Sequence, residues 1–133
     1  MERGEPSRTW REAGFFAVDE VPRFDDERVG LWPGLFSNML PKFLAVDWPK
    51  HRLVVHIDCD LYSSTLCVLT ILDRLLVQGS ILLFDETVVA DHEFRALLER
   101  SSAYGRSYVV IGVFGNGRRT EAVALLMREA ADG

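Results

Sequence analysis

Two apolar runs that each end in acids constrain this chain more than any other feature. Val54-Val55-His56-Ile57 leads directly into Asp58-Cys59-Asp60, and Leu61-Tyr62-Ser63-Ser64-Thr65 follows. Further on, Ile81-Leu82-Leu83-Phe84 leads into Asp85-Glu86. An apolar run without alternation reads as a strand covered on both faces. Two such strands, separated by enough residues for a helix, predict a parallel pair joined by a crossover. Parallel strands end on the same side of the sheet, so their acids gather there, and in open α/β sheets that is where ligands bind. Carboxylates crowded in this way repel one another unless a cation or a proton is shared among them.

The rest of the pattern fits one α/β domain. The first strand is predicted over Arg52 to Ile57. A helix is predicted from about Thr65 to Leu76, with Leu66, Leu69, Leu72 and Leu76 inward and Ser63 or Ser64 as its N-cap. Gly79 ends that connection before the second strand. A second amphipathic helix is expected over His92 to Ser101, with Phe94, Leu97 and Leu98 inward. Tyr108 to Phe114 and Ala122 to Met127, joined through Gly115-Asn116-Gly117, predict an antiparallel hairpin at one side of the sheet. Upstream, Leu35 to Leu44 has helical spacing despite Pro41, and Arg28 to Trp32 is expected as a short strand. Residues 1–27, broken by Gly4, Pro6, Gly14 and Pro22, read as an irregular segment; residues 28–133 form the domain.

Bulk properties exclude some partners. With 133 residues the chain can bury a core, and a formal net charge of −5 argues against general nucleic-acid binding. The apolar runs are too short for a membrane span, and the N-terminus lacks the apolar core of a signal peptide. Cys59 and Cys67 read as free thiols in a reducing compartment, so a cytoplasmic location is expected. No zinc-ligand spacing occurs.

The order strand, acids, helix, strand, acids, helix, strand, turn, strand resembles the second half of a class I S-adenosylmethionine (SAM) dependent methyltransferase. The closer resemblance is to the macrocin-type O-methyltransferases. GLFSNMLPKFL (Gly34 to Leu44), VHIDCDLYSSTLCVL (Val55 to Leu69), GSILLFDE (Gly79 to Glu86) and HEFRALLE (His92 to Glu99) carry it, over residues 28 to 127. It implies a partial Rossmann-like sheet lacking the first βα units, and an enzyme that moves a methyl group from SAM to a small hydroxylated acceptor such as a sugar. It implies Mg²⁺ or a similar divalent cation, with Asp58, Asp85 and Glu86 matching the metal positions and Asp60 matching the proposed general base. Tyr62 could line the acceptor pocket or simply pack.

Departures from the family matter equally. Nothing before Asp58 supplies a strand followed by the Gly-rich turn that cradles SAM. Thr87 stands where the family often has an aromatic residue, and Met39 where it usually has Thr. The chain therefore resembles a truncated domain, or one part of a longer one, and taken alone is expected to be incomplete. In the family's sheet the first strand lies beside the strand ending at Asp58. Without it, Leu53 to Ile57 becomes an open edge, which favours a homo-oligomer or a partner chain covering it.

Blander readings stand beside these. The acids could be solvated loop residues or helix caps, and Ser63, Ser64 and Thr65 fit caps better than catalytic groups. His56, inside an apolar run, reads as a core histidine; His51 as a surface residue; Trp32, Trp48 and Phe43 as packing. Two other functional classes remain open. One is a non-catalytic binding or assembly module. The other is a haloacid-dehalogenase-like phosphohydrolase, which Asp58-Cys59-Asp60 resembles superficially. Tyr62 and Ser63 fit that second pattern poorly, and no lysine follows Lys50.

Overall fold

A computed structural model of the chain describes residues 18–85, 92–116 and 120–128. Met1–Pro33 and Gly34–Gly133 are two compact units. In the first, Arg28 donates its backbone N–H and its guanidinium to the Asp26 carboxylate at 2.6–2.9 Å, and Val29 N–H bonds to Asp26 O at 3.0 Å. These bonds close a turn and occupy backbone groups that a strand would need. The strand expected over Arg28 to Trp32 is accordingly not formed.

The second unit is a mixed α/β layer structure. Helix α1 spans Phe36–Val46, strand β1 Val54–Ile57, helix α2 Tyr62–Leu72 and strand β2 Ile81–Asp85. Helix α3 spans Glu93–Tyr104, strand β3 Tyr108–Gly115 and strand β4 Thr120–Met127. Pro41 sits inside α1 without ending it. The last turn of α2 tightens into a 3₁₀ turn over Asp73–Leu75, a common way for a helix to finish. At Gly79 the chain adopts φ +86°, and a Cβ there would meet the Arg52 guanidinium at 3.2 Å, so this turn favours glycine.

Strand order in the sheet is β1-β2-β4-β3. β1 and β2 run parallel, with Val54 opposite Ile81 and Ile57 opposite Phe84. The hairpin pairs antiparallel, but its second strand inserts between β2 and β3, so β3 forms the outer edge. β1 forms the other edge.

One face of the sheet carries the core. Ile57, Leu82, Phe84, Leu125 and Met127 pack with Leu44 of α1, Val68, Leu69 and Leu72 of α2, and Leu97 of α3. Alternate strand positions point the other way. β1 reads exposed, half-buried, exposed, buried along Val54 to Ile57, which corrects the expectation of a strand covered on both faces. The physical reason is that, among the described residues, the three helices share a single core on one side and no strand pairs with the outer edge of β1. Trp48, expected to pack, is exposed as well.

A charged knot ties α2, α3 and β3 together. The Asp73 carboxylate accepts from Arg106 Nε at 3.2 Å and Nη2 at 2.9 Å, and buried Arg100 approaches it at 3.3 Å. The Arg106 hydrogen bond, with Arg100 and Arg74 nearby, holds the Asp73 carboxyl below its ordinary value against its partial burial. A depressed folded pKa adds stability that is present above the unfolded value, near ~4, and is lost as pH falls through the folded value. Urea midpoints should therefore decline on acidification below about pH 4. Asp73→Asn should cost about 1–3 kcal/mol at neutral pH and flatten that decline. A variant with an unchanged midpoint and an unchanged acid limb would remove Asp73 from this role.

Candidate functional site

β1 ends at Ile57, and the chain turns sharply before α2 starts. Leu61 N–H reaches back to Cys59 O at 2.7 Å. Asp60 has φ +60°, a left-handed conformation that costs a residue with a side chain about 1–2 kcal/mol, less for Asp than for most. Leu61 is the N-cap of α2 and Thr65 N–H bonds to Leu61 O, so Ser63 and Ser64 lie inside the first turn instead of capping it.

The turn is clamped from α3. Glu93, first residue of that helix, is only 4% exposed. Its Oε1 accepts from the backbone N–H of Cys59 at 2.6 Å and of Asp60 at 2.9 Å. One carboxylate thus satisfies two backbone donors that neither the strand nor the helix can use. Its place in a helix's first turn also suits a negative charge.

Asp58, Asp60 and Glu93 form a cluster in which one carboxylate oxygen from each lies within 4.8 Å of the others. Asp58 and Asp60 are exposed; Glu93 is buried. Burial pushes the Glu93 carboxyl above its ordinary value, the two backbone donors oppose that shift, and the charges of Asp58 and Asp60 add to it. Its second oxygen, Oε2, is buried with no hydrogen-bond partner among the described residues. Cys59 lies in the same turn, and its thiol is pushed up to about 11, chiefly by burial. It stays protonated at neutral pH and reads as a packing residue.

The structure brings together Asp58 and Asp60 of the acids singled out from sequence. Asp85, at the end of β2, turns elsewhere, with Oδ2 2.9 Å from His56 Nε2. His56 is exposed, not in the core as expected from its apolar run. Its partner explains the placement. His56 sits opposite Leu83, so Asp85 is its diagonal neighbour on the same face. Glu86 lies outside the described residues. Tyr62 donates its hydroxyl to Glu99, and Arg95 lies 5.3 Å over its ring while also bonding Glu99 at 2.8 Å. That hydrogen bond holds the Tyr62 phenol above its ordinary value and the Glu99 carboxyl below its own. Tyr62 therefore ties the start of α2 to the surface of α3.

Phe94 and Leu97 pack on the core as expected, but the inward stripe of α3 continues through Glu93, Ala96 and Arg100 and not through Leu98. Glu93, Ala96, Leu97 and Arg100 are buried, whereas Leu98, expected inward, is 55% exposed. The available signal was an acid at i with an apolar residue at i+4 and a basic one at i+7, a stripe that carries charge at both ends.

A shallow cleft of about 290 Å³ opens between the starts of α1 and α2, lined by Leu35, Ser37, Ser63, Ser64 and Cys67. Because α2 begins right after Asp60, this cleft and the acids share one end of the sheet. A larger hollow of about 570 Å³, lined by Arg52, Gly79 and Arg128 among others, lies by the strand starts at the other end. No protein-family model matches the chain, and no curated protein matches it. Among the described residues no helix is long and apolar enough to cross a membrane.

The backbone of Asp60 gives a clean test. Glycine adopts φ +60° freely and alanine does not. Both substitutions remove the same charge, so their difference isolates the backbone. Asp60→Gly should be more stable than Asp60→Ala by about 1 kcal/mol in chemical denaturation. Equal stabilities would mean that the turn relaxes out of this conformation.

Proposed function

We propose that this chain supplies the acid-bearing half of a SAM-dependent, metal-assisted O-methyltransferase acting on a small hydroxylated acceptor. One observation carries the reading. The parallel pair β1 and β2 delivers Asp58, Asp60 and Asp85 to the same end of the sheet, with a helix following each strand. This is the arrangement that the resemblance of VHIDCDLYSSTLCVL and GSILLFDE calls for, and the order of elements around it supports a partial Rossmann-like sheet.

The donor chemistry fits a divalent cation. Carboxylate oxygens are what Mg²⁺ and Ca²⁺ take, and the orphaned Glu93 Oε2 is a buried anionic oxygen in want of a positive partner. When bound, such an ion polarises an acceptor hydroxyl and lowers its pKa. The residues of the chain then have separate tasks. Asp58 helps hold the ion at the end of β1. Asp60, exposed at the turn, receives the acceptor's proton. The cleft beside Ser63 and Ser64 holds the acceptor in reach. The described residues do not fit SAM itself. Among them no Gly-rich turn joins a strand to a helix at the acid end, so the methyl donor's main cradle has to come from outside this half.

A second reading is an assembly module without catalysis, and the one-sided sheet favours it. Among the described residues no strand pairs with the outer side of β1, and Val54 is 65% exposed beside it. Both readings require a partner strand there, from a second copy or from a chain carrying the missing half. Analytical ultracentrifugation should therefore show concentration-dependent association. A sharp monomer at high concentration that also unfolds cooperatively would count against both.

Calorimetric titration with SAM, with and without Mg²⁺, separates the two. Metal-dependent SAM binding that is lost in Asp58→Asn supports the methyltransferase reading. Heat with Mg²⁺ alone points to half a catalytic site that awaits its partner. Silence with both ligands favours the assembly module.

A further inference from the structure

The buried carboxylate of Glu93 is hard to explain as a purely structural group. Two backbone N–H donors satisfy Oε1, and nothing among the described residues satisfies Oε2. An anionic oxygen buried without a partner costs on the order of several kcal/mol. Here the cost is compounded, because the charges that act on it among the described residues are those of Asp58 and Asp60, both acids. A glutamine would offer the same accepting oxygen to Cys59 and Asp60 without the charge, but would bury two amide donors where Oε2 now lies.

We infer that Asp58, Asp60 and Glu93 together bind a hard divalent cation, with the α3 carboxylate as the ligand that fixes its position. The oxygens around one ion are separated by at most twice the metal–oxygen distance, about 4.2 Å for Mg²⁺ and about 5 Å for Ca²⁺. A cluster in which one oxygen from each carboxylate lies within 4.8 Å of the others meets the larger ion as it stands and needs a small contraction for the smaller one. Glu93 is rigid, since it starts a helix and is held by two backbone donors. Asp58 and Asp60 are exposed and able to adjust. A fixed ligand flanked by two adaptable ones leaves the outer positions open to water or to a substrate oxygen. A carboxylate has two oxygens, so Asp60 can place one on the ion and leave the other to accept a proton.

This set differs from the one that the sequence resemblance implied. It keeps Asp58, adds Asp60 and Glu93, and leaves Asp85 to His56. As the metal centre of the proposed methyl transfer it rests on that reading, but its geometry does not.

Titration calorimetry with MgCl₂ and, separately, CaCl₂ tests it on the full chain and on three variants. Wild type should bind one ion per chain. Glu93→Gln and Asp58→Asn should each weaken binding at least tenfold. Asp85→Asn should stay within about twofold of wild type (roughly 0.4 kcal/mol at RT of 0.59 kcal/mol). Circular dichroism of each variant shows whether it is folded. Should Glu93→Gln fail to fold, Asp58→Asn against Asp85→Asn still decides between the two sets. Absence of binding in folded wild type overturns the inference, as does loss of binding in Asp85→Asn with Glu93→Gln unaffected. Metal binding that follows this pattern upholds the site whether or not SAM binds, because the methyl donor's main cradle is not expected in this half.

Discussion

The parallel register of β1 and β2 underlies everything at the acid end of this molecule. Ile57 opposite Phe84 obliges both strands to finish together, so Asp58, Asp60 and Asp85 emerge on one side. That register is held by the buried face, where Ile57, Leu82 and Phe84 are almost wholly removed from water. A slip of β1 by one residue would exchange Val55 and Ile57 for Val54 and His56, turning a histidine into the core. Hydrophobic burial thus fixes where the carboxylates stand, although none of them contributes to it.

Burial that builds the core also creates the electrostatic tension beside it. α3 packs on α2 and the sheet through Ala96 and Leu97, and the same stripe draws Glu93 and Arg100 inward. Arg100 meets a carboxylate of opposite charge, Asp73, although its Nε and Nη1 find no hydrogen-bond partner among the described residues. Glu93 meets backbone donors on one oxygen and acids nearby, and is only half compensated. The two ends of one helix stripe therefore behave differently. Near Arg100 the charges close into a structural knot across α2, α3 and β3, and at Glu93 they remain open to a ligand.

One-sided packing is the third theme. All three helices share one core, and the hairpin adds β4 against β2 with β3 outermost. Ile81, Leu83 and Leu126 on the opposite face are only half-buried, and Val54 and Phe114 are exposed. For a chain this rich in aliphatic residues that arrangement leaves apolar surface and an open strand edge together. The proposed partner half would cover both.

The local pattern alone was enough to place the parallel pair, α1 across Pro41, α2 and the hairpin strands. Each follows from short-range rules: apolar runs, helical spacing and turn residues. Three features were decided by tertiary structure. Val54-Val55-His56-Ile57 looks the same in sequence whether one face or two are covered; among the described residues no helix covers the second face, and His56 is exposed there. The Arg28 to Trp32 segment has strand-like composition, but Asp26 captured its backbone donors. Glu93 became the centre of the site through contacts with Cys59 and Asp60 more than thirty positions away, and no local rule reports which buried carboxylate will lack a partner for its second oxygen.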